Sequence, residues 1–145
     1  MMNLGLLGPG LVMGIAAVGS AIGIGLAGSA TIGAWKKCYI ANKQAPMMLL
    51  AFAGAPLTQT FYGFILMGQM ATAAQAATEN AWLYIGYGVA SGLAMAFSAI
   101  VQGKVGAAAA DAQGETGKGF AQYIAVVGIA ETIALFAMVL TMISL

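Results

Sequence analysis

The chain has 145 residues, 61% hydrophobic and 6% charged, with no His and a formal net charge of +1. A soluble domain carries about 25% charged residues, so this composition excludes one, and a charge of +1 offers no basic surface for nucleic acid. The single cysteine, Cys38, excludes an internal disulfide, and without His the common metal clusters are missing.

Backbone groups in lipid must pair internally, which leaves helices or closed barrels. The apolar runs here are long and lack period-two alternation, so they read as helices. Four spans are predicted, Gly8–Ala34, Pro46–Ala74, Ala81–Ala107 and Phe120–Leu145. Each exceeds the roughly 20 residues needed to cross a bilayer. The connectors are expected to run to about 6 to 12 residues, with no soluble domain between them.

Span one is dense in glycine, with Gly10/Gly14 and Gly19/Gly23 as GxxxG pairs and Gly25, Gly28 and Gly33 beyond them. Met1–Gly8 has no Lys or Arg, and the apolar stretch outruns the roughly 7–15 residues of a signal-peptide core, so the segment reads as a spanning helix. Lys36, Lys37 and Lys43 follow it. Span two carries Ala55, Thr58, Gln59 and Tyr62 at i, i+3, i+4 and i+7, one face of a helix. Pro56 within that stripe removes a backbone donor, so the carbonyl near residue 52 loses its partner and the helix is expected to kink. A disturbed helix can aim carbonyls at a ligand, that of Ala55 among them.

The connector after span two holds only Glu79. Span three has Gly88 and Gly92, then Ala96, Ala99 and Gly103 on nearly the same face, and it contributes Gln102. Lys104 and Lys118 flank the next connector, in which Asp111, Glu115 and Lys118 read as solvated loop residues. By the positive-inside rule, loops 35–45 and 108–119 are cytoplasmic and both termini lie on the other side. The small residues of spans one and three fit either an ordinary tight helix pair or a crowded inner wall repeated around a ring.

Span four places Glu131 in the middle of a run free of other charge. A carboxylate at the bilayer centre costs about 3 kcal/mol on insertion scales, so such a residue is functional by default. Its partner is another part of the protein, a proton or a cation.

The chain also reads as a duplication. Offset by 73, Gly19, Ala21, Gly33 and Ala34 fall on Gly92, Ala94, Gly106 and Ala107; offset by 74, Gly54, Thr58 and Leu66 fall on Gly128, Thr132 and Leu140. Residues 1–75 form a first helical hairpin and 76–145 a second, within one membrane domain. Both enter the membrane in the same direction, a parallel repeat unlike the inverted type of many carriers. The counterpart of Glu131 is Leu57, so two hairpins share one ionisable site.

Glu131, Thr58, Gln59 and Gln102, with Thr132, the phenol of Tyr62 and a carbonyl, make a set of hard oxygen donors that suits an alkali or alkaline-earth cation and disfavours zinc or copper. One carboxylate balances one charge, which favours Na⁺ over Ca²⁺. The plainer alternative is that Thr58, Gln59 and Gln102 hydrogen-bond between helices and bind no ion. Tyr62 is then a packing aromatic.

The duplicated hairpin, the glycine-rich odd helices, the segment Ala55-Pro-Leu-Thr-Gln-Thr-Phe-Tyr62, the run Val101-Gln-Gly-Lys104 and the lone Glu131 resemble the membrane-rotor proteolipid of V-type ATPases, most closely its bacterial sodium-pumping form. The resemblance implies an all-α membrane protein of four transmembrane helices, assembled as identical copies into a ring. It implies a Na⁺ cage of Glu131, Gln102, Gln59 and Thr58 with the carbonyl of Ala55, and a hydrogen bond from Tyr62 to Glu131. Ala55 stands where the family has a bulkier residue, which matters little if only the carbonyl binds. The implied partners are a membrane stator subunit that supplies an Arg, central-stalk subunits of a soluble ATPase sector at the cytoplasmic loops, and lipid. The chain itself would be a non-catalytic, ion-translocating component of a bacterial cell membrane. One ion per four helices lowers the ions moved per turn, which suits a pump more than a synthase. The other readings are a proton-translocating ring of the same family, a small four-helix cation or drug exporter, and a structural or pore-forming proteolipid.

Overall fold

The computed structural model describes residues 3–145. Four helical rods account for nearly all of it. Helix α1 runs Leu7–Ile40 after a 3-10 turn at Leu4–Leu6. The second rod is broken into a 3-10 turn Met47–Leu49, a short α2 at Leu50–Gly54, a 3-10 turn Ala55–Leu57, and α3 at Thr58–Ala76. Helix α4 is Ala81–Thr116 and α5 is Phe120–Met142. All four rods are long and apolar enough to cross a membrane, and the described residues contain no strand.

Two sequence expectations need correction. Residues 35–40 belong to α1 and residues 108–116 to α4, so the cytoplasmic loops expected at 35–45 and 108–119 shrink to connectors at 41–46 and 117–119. The cause is capping. Helix α4 runs on until Gly117 adopts φ +67 and its N–H caps the Gln113 carbonyl at 2.9 Å; Gly119, at φ +92, then redirects the chain into α5. Such φ values cost little only for glycine. Asp111 and Glu115 are therefore helical. Both lie 2.8 Å from Lys37 Nζ, an exposed three-charge contact between the ends of α1 and α4, and of the three residues expected in that loop only Lys118 remains in a connector.

Helices α1 and α4 pack in parallel. Contacts climb both chains together, from Gly8 with Gly88, through Gly19 with Ala96 and Gly23 with Gly103, to Ala34 with Gly114. A Cβ on Gly8 would lie 2.2 Å from the Tyr84 carbonyl oxygen, and one on Gly19 2.2 Å from Ala96 Cα. One on Gly23 would meet the Ala99 oxygen at 2.3 Å, and one on Gly88 would meet the Gly8 oxygen at the same distance. Gly92 is looser, with Ile15 Cβ 3.0 Å away. Where lipid removes the hydrophobic drive, this backbone-to-backbone approach supplies the dispersion contact that holds the helices. Only one of the two expected GxxxG pairs in α1 is used here. Gly10 and Gly14 face away from α4 and meet nothing within 4 Å.

The second rod lies antiparallel on α1. Thr31 faces the Leu49 carbonyl, Gly23 faces Pro56 and Ala16 faces Gly63. Val12, Ala16, Leu66, Met70 and Met95 make one buried cluster, and Leu49, Phe52, Ala110 and Val127 another. Trp35 Nε1 closes the first connector on the Pro46 carbonyl at 2.9 Å, and Asn3 Nδ2 ties the N-terminal turn to the Ala74 carbonyl at 2.8 Å. Helix α5 is peripheral and buries only Val127 and Ala134.

Candidate ion-binding site

Between the two apolar clusters, α3, α4 and α5 meet around one polar group. The interruption in the second rod sets its start. Pro56 has no N–H, and the chain passes it in a 3-10 turn with Pro56 seated against Gly23. The carbonyl deprived of its donor is that of Phe52, which lies toward Gly106 of α4, where an added Cβ would sit 2.8 Å from it. The carbonyl of Ala55 is occupied differently: it accepts the Thr58 hydroxyl at 3.0 Å.

One residue further on, Gln59 is fully buried. Its Nε2 donates to Gln102 Oε1 at 2.8 Å, with the Ser98 hydroxyl at 3.4 Å, and Thr58 Oγ1 stands 3.3 Å from its Oε1. Gln102, equally buried, donates from Nε2 to the Val127 carbonyl at 3.1 Å and to Glu131 Oε2 at 3.2 Å. The Tyr62 hydroxyl donates to the other carboxylate oxygen, Glu131 Oε1. Hydrogen bonds to a charged acceptor are roughly twice as strong as neutral ones. A chain of polar groups thus runs from Ala55 and Thr58 through Gln59 and Gln102 to Glu131, and Tyr62 closes its far end.

The chemistry of this chain is reversible. A half-turn of both carboxamides exchanges their oxygen and nitrogen positions. The Gln59–Gln102 bond then survives with its polarity inverted, and Gln102 Oε1 stands beside the Val127 carbonyl and Glu131 Oε2. The same side chains can therefore offer N–H donors to an anionic carboxylate or oxygens to a cation held on it.

Glu131, Gln102, Gln59, Thr58, Ala55 and Tyr62 come together in this arrangement, while Gly19, Gly23, Gly88 and Gly92 lie apart from it in the α1–α4 contact. Thr132 does not join. It is exposed, its hydroxyl returns to the Ile129 carbonyl at 2.8 Å, and it lines a surface groove with Leu135, Phe136 and Val139. Leu57, the duplication counterpart of Glu131, is exposed in the 3-10 turn. Sequence reasoning missed Ser98, which is buried and donates to the Ala130 carbonyl at 2.7 Å. Its position four residues before Gln102, on the same helix face, was the available signal. The Val127 carbonyl left no signal, because a backbone acceptor has no side-chain identity.

The family model for the ATP synthase C subunit matches residues 85–144, which take in most of α4 and all of α5, with Ser98, Gln102 and Glu131 inside the match. The match covers less than half of the chain. Thr58, Gln59 and Tyr62 lie outside it. No curated protein matches the chain at a significant level.

Proposed function

Starting from the match of residues 85–144 to the ATP synthase C subunit, we propose that this chain is the rotor-ring subunit of a V-type ATPase, and that it carries Na⁺ across the membrane on Glu131. The observation that supports this most is the convergence on one carboxylate of Tyr62 from α3 and Gln102 from α4, with Gln59 behind Gln102. A lone carboxylate facing lipid needs neutralising, and four buried or half-buried side chains built around it are more than helix packing requires. In the loaded state, Na⁺ sits on Glu131 with Gln102, Gln59 and Thr58 as further oxygen donors, and Tyr62 holds the carboxylate closed. Ala55 contributes through the hydroxyl of Thr58, or directly once that hydroxyl turns to the ion.

The cycle follows from electrostatics. A loaded, neutral site passes through lipid as the ring turns, whereas an empty anionic site is costly to desolvate. An Arg on a membrane stator subunit would favour the ion-free carboxylate by Coulomb attraction; this chain has no Arg to do so itself. Identical copies form the ring, and central-stalk subunits dock at the end bearing the connectors 41–46 and 117–119. That end is cytoplasmic by its Lys content, in a bacterial cell membrane, with both termini opposite. One carboxylate per two hairpins suits a pump.

A proton-carrying ring is the second reading. One observation favours it: both Glu131 oxygens already accept N–H or O–H donors, an arrangement that needs no metal. A drug exporter would need an aromatic cage, and among the described residues the only aromatic hydrogen-bonded to Glu131 is Tyr62.

Carbodiimide labelling of Glu131 in the purified oligomer, across pH and with or without Na⁺, separates the two ions, because the reagent attacks the protonated carboxyl. Protection by Na⁺ that strengthens as pH rises is the expected result. Labelling that follows pH alone would leave Thr58, Gln59 and Gln102 as packing residues and the proton as the carried ion.

A further inference from the structure

Helix α5 has few anchors. It buries only two side chains, Val127 and Ala134. Among the described residues, its inter-helix hydrogen bonds all fall within a single turn: Gln102 to the Val127 carbonyl, Ser98 to the Ala130 carbonyl, and Tyr62 and Gln102 to the Glu131 carboxylate. These bonds divide by their response to charge. Those to Glu131 weaken when the carboxylate is neutralised by a proton or an ion. The bond from Ser98 does not touch the carboxylate and is the shorter of the two to α5 backbone, at 2.7 Å against 3.1 Å for Gln102. If the Gln102 amide turns to face a cation with its oxygen, the Val127 carbonyl loses its donor as well. Of the two bonds to α5 backbone in this turn, that from Ser98 is then the one that persists through loading and unloading.

We propose that Ser98 is a positioning residue of the ion site: its hydroxyl holds the α5 backbone at Ala130 so that the next side chain, Glu131, stays in register with Gln102 and Tyr62 while its charge changes. This rests on the reading of Glu131 as the ion carrier. The Ser98 hydroxyl also stands 3.4 Å from Gln59 Nε2, so the same group meets the polar chain from α3. An in-helix role is not what the hydroxyl serves. Ser91, two turns earlier on α4, bonds the Tyr87 carbonyl of its own helix, whereas Ser98 reaches across to α5. Beside Ser98 a surface groove lined by Ala94, Phe97, Val101, Ala130 and Ile133 leaves room for one more methyl group.

The test compares carbodiimide labelling of Glu131 in intact wild-type, Ser98→Ala, Ser98→Thr and Ser91→Ala oligomers. Without Na⁺, Ser98→Ala should label roughly three- to tenfold faster at each pH, the scale of one interhelical hydrogen bond in a membrane. With Na⁺, half-protection should need more ion by a similar factor. Ser98→Thr, which keeps the donor, should label as wild type, and so should Ser91→Ala. Wild-type rates in Ser98→Ala would overturn the proposal, as would equal acceleration in Ser91→Ala. Should Ser98→Ala fail to assemble, Ser98→Thr decides: assembly with wild-type labelling supports the role of the hydroxyl, and fast labelling or failed assembly overturns it. If Na⁺ protects no variant, the sodium reading fails, yet the Na⁺-free rates still decide for or against Ser98.

Discussion

Gln59 Nε2 and Gln102 Oε1 lie 2.8 Å apart, joining α3 to α4 through two carboxamides that are both fully buried. Neither amide can turn alone without breaking that bond. Removing either partner leaves a buried polar group unsatisfied, at about 1–3 kcal/mol. Gln59→Leu and Gln102→Leu are each expected to weaken Na⁺ protection of Glu131 by roughly tenfold or more at fixed pH. The double variant should cost less than the sum of the two singles, since the shared bond is lost only once. Strict additivity would show that the two amides act independently.

Glu131→Gln should abolish ion transport by the reconstituted rotary complex while the oligomer still forms. The amide keeps the shape and the acceptor for Tyr62, but holds neither a proton nor a cation in exchange. Transport that persists in this variant would remove Glu131 from the ion path.

Tyr62→Phe deletes the donor to Glu131 Oε1 and leaves the ring in place. A hydrogen bond to a charged group contributes about 1.5–3 kcal/mol, so the sodium concentration for half-protection should rise by roughly ten- to a hundredfold. An unchanged value would make Tyr62 a packing aromatic.

The pH dependence has a definite sign. Sodium and the proton compete for one carboxylate, and a metal ligand must be deprotonated to bind. Each unit fall in pH should raise the sodium needed for half-protection, by up to about tenfold where the proton is the main competitor. A sodium requirement that does not vary with pH would mean that the ion binds elsewhere.

Glycine positions in α1 separate into two classes. Gly19→Ala puts a Cβ 2.2 Å from Ala96 Cα, backbone against which nothing can yield, so the α1–α4 pair should fail to form and the expressed protein should be degraded. Gly10→Ala meets nothing within 4 Å and should leave the chain folded, with about 1 kcal/mol of helix propensity gained. A Gly10→Ala chain that folds but no longer oligomerises would place that face against a neighbouring copy.

Membrane residence, four helical rods and the singular status of Glu131 were determined by the sequence alone. Long apolar runs admit no other solution in lipid, and a carboxylate within one has no cheap explanation. The stripe Ala55, Thr58, Gln59 and Tyr62 was legible for the same local reason, as one face of one helix. What only tertiary structure decided is which helices share faces and which atoms answer one another. The parallel register of α1 on α4, the idle pair Gly10 and Gly14, and the meeting of Lys37 with Asp111 and Glu115 all depend on contacts between distant segments. So does the role of Ser98. A hydroxyl in a helix can satisfy itself on its own backbone, as Ser91 does, and only the neighbouring helix makes the Ala130 carbonyl available to it instead.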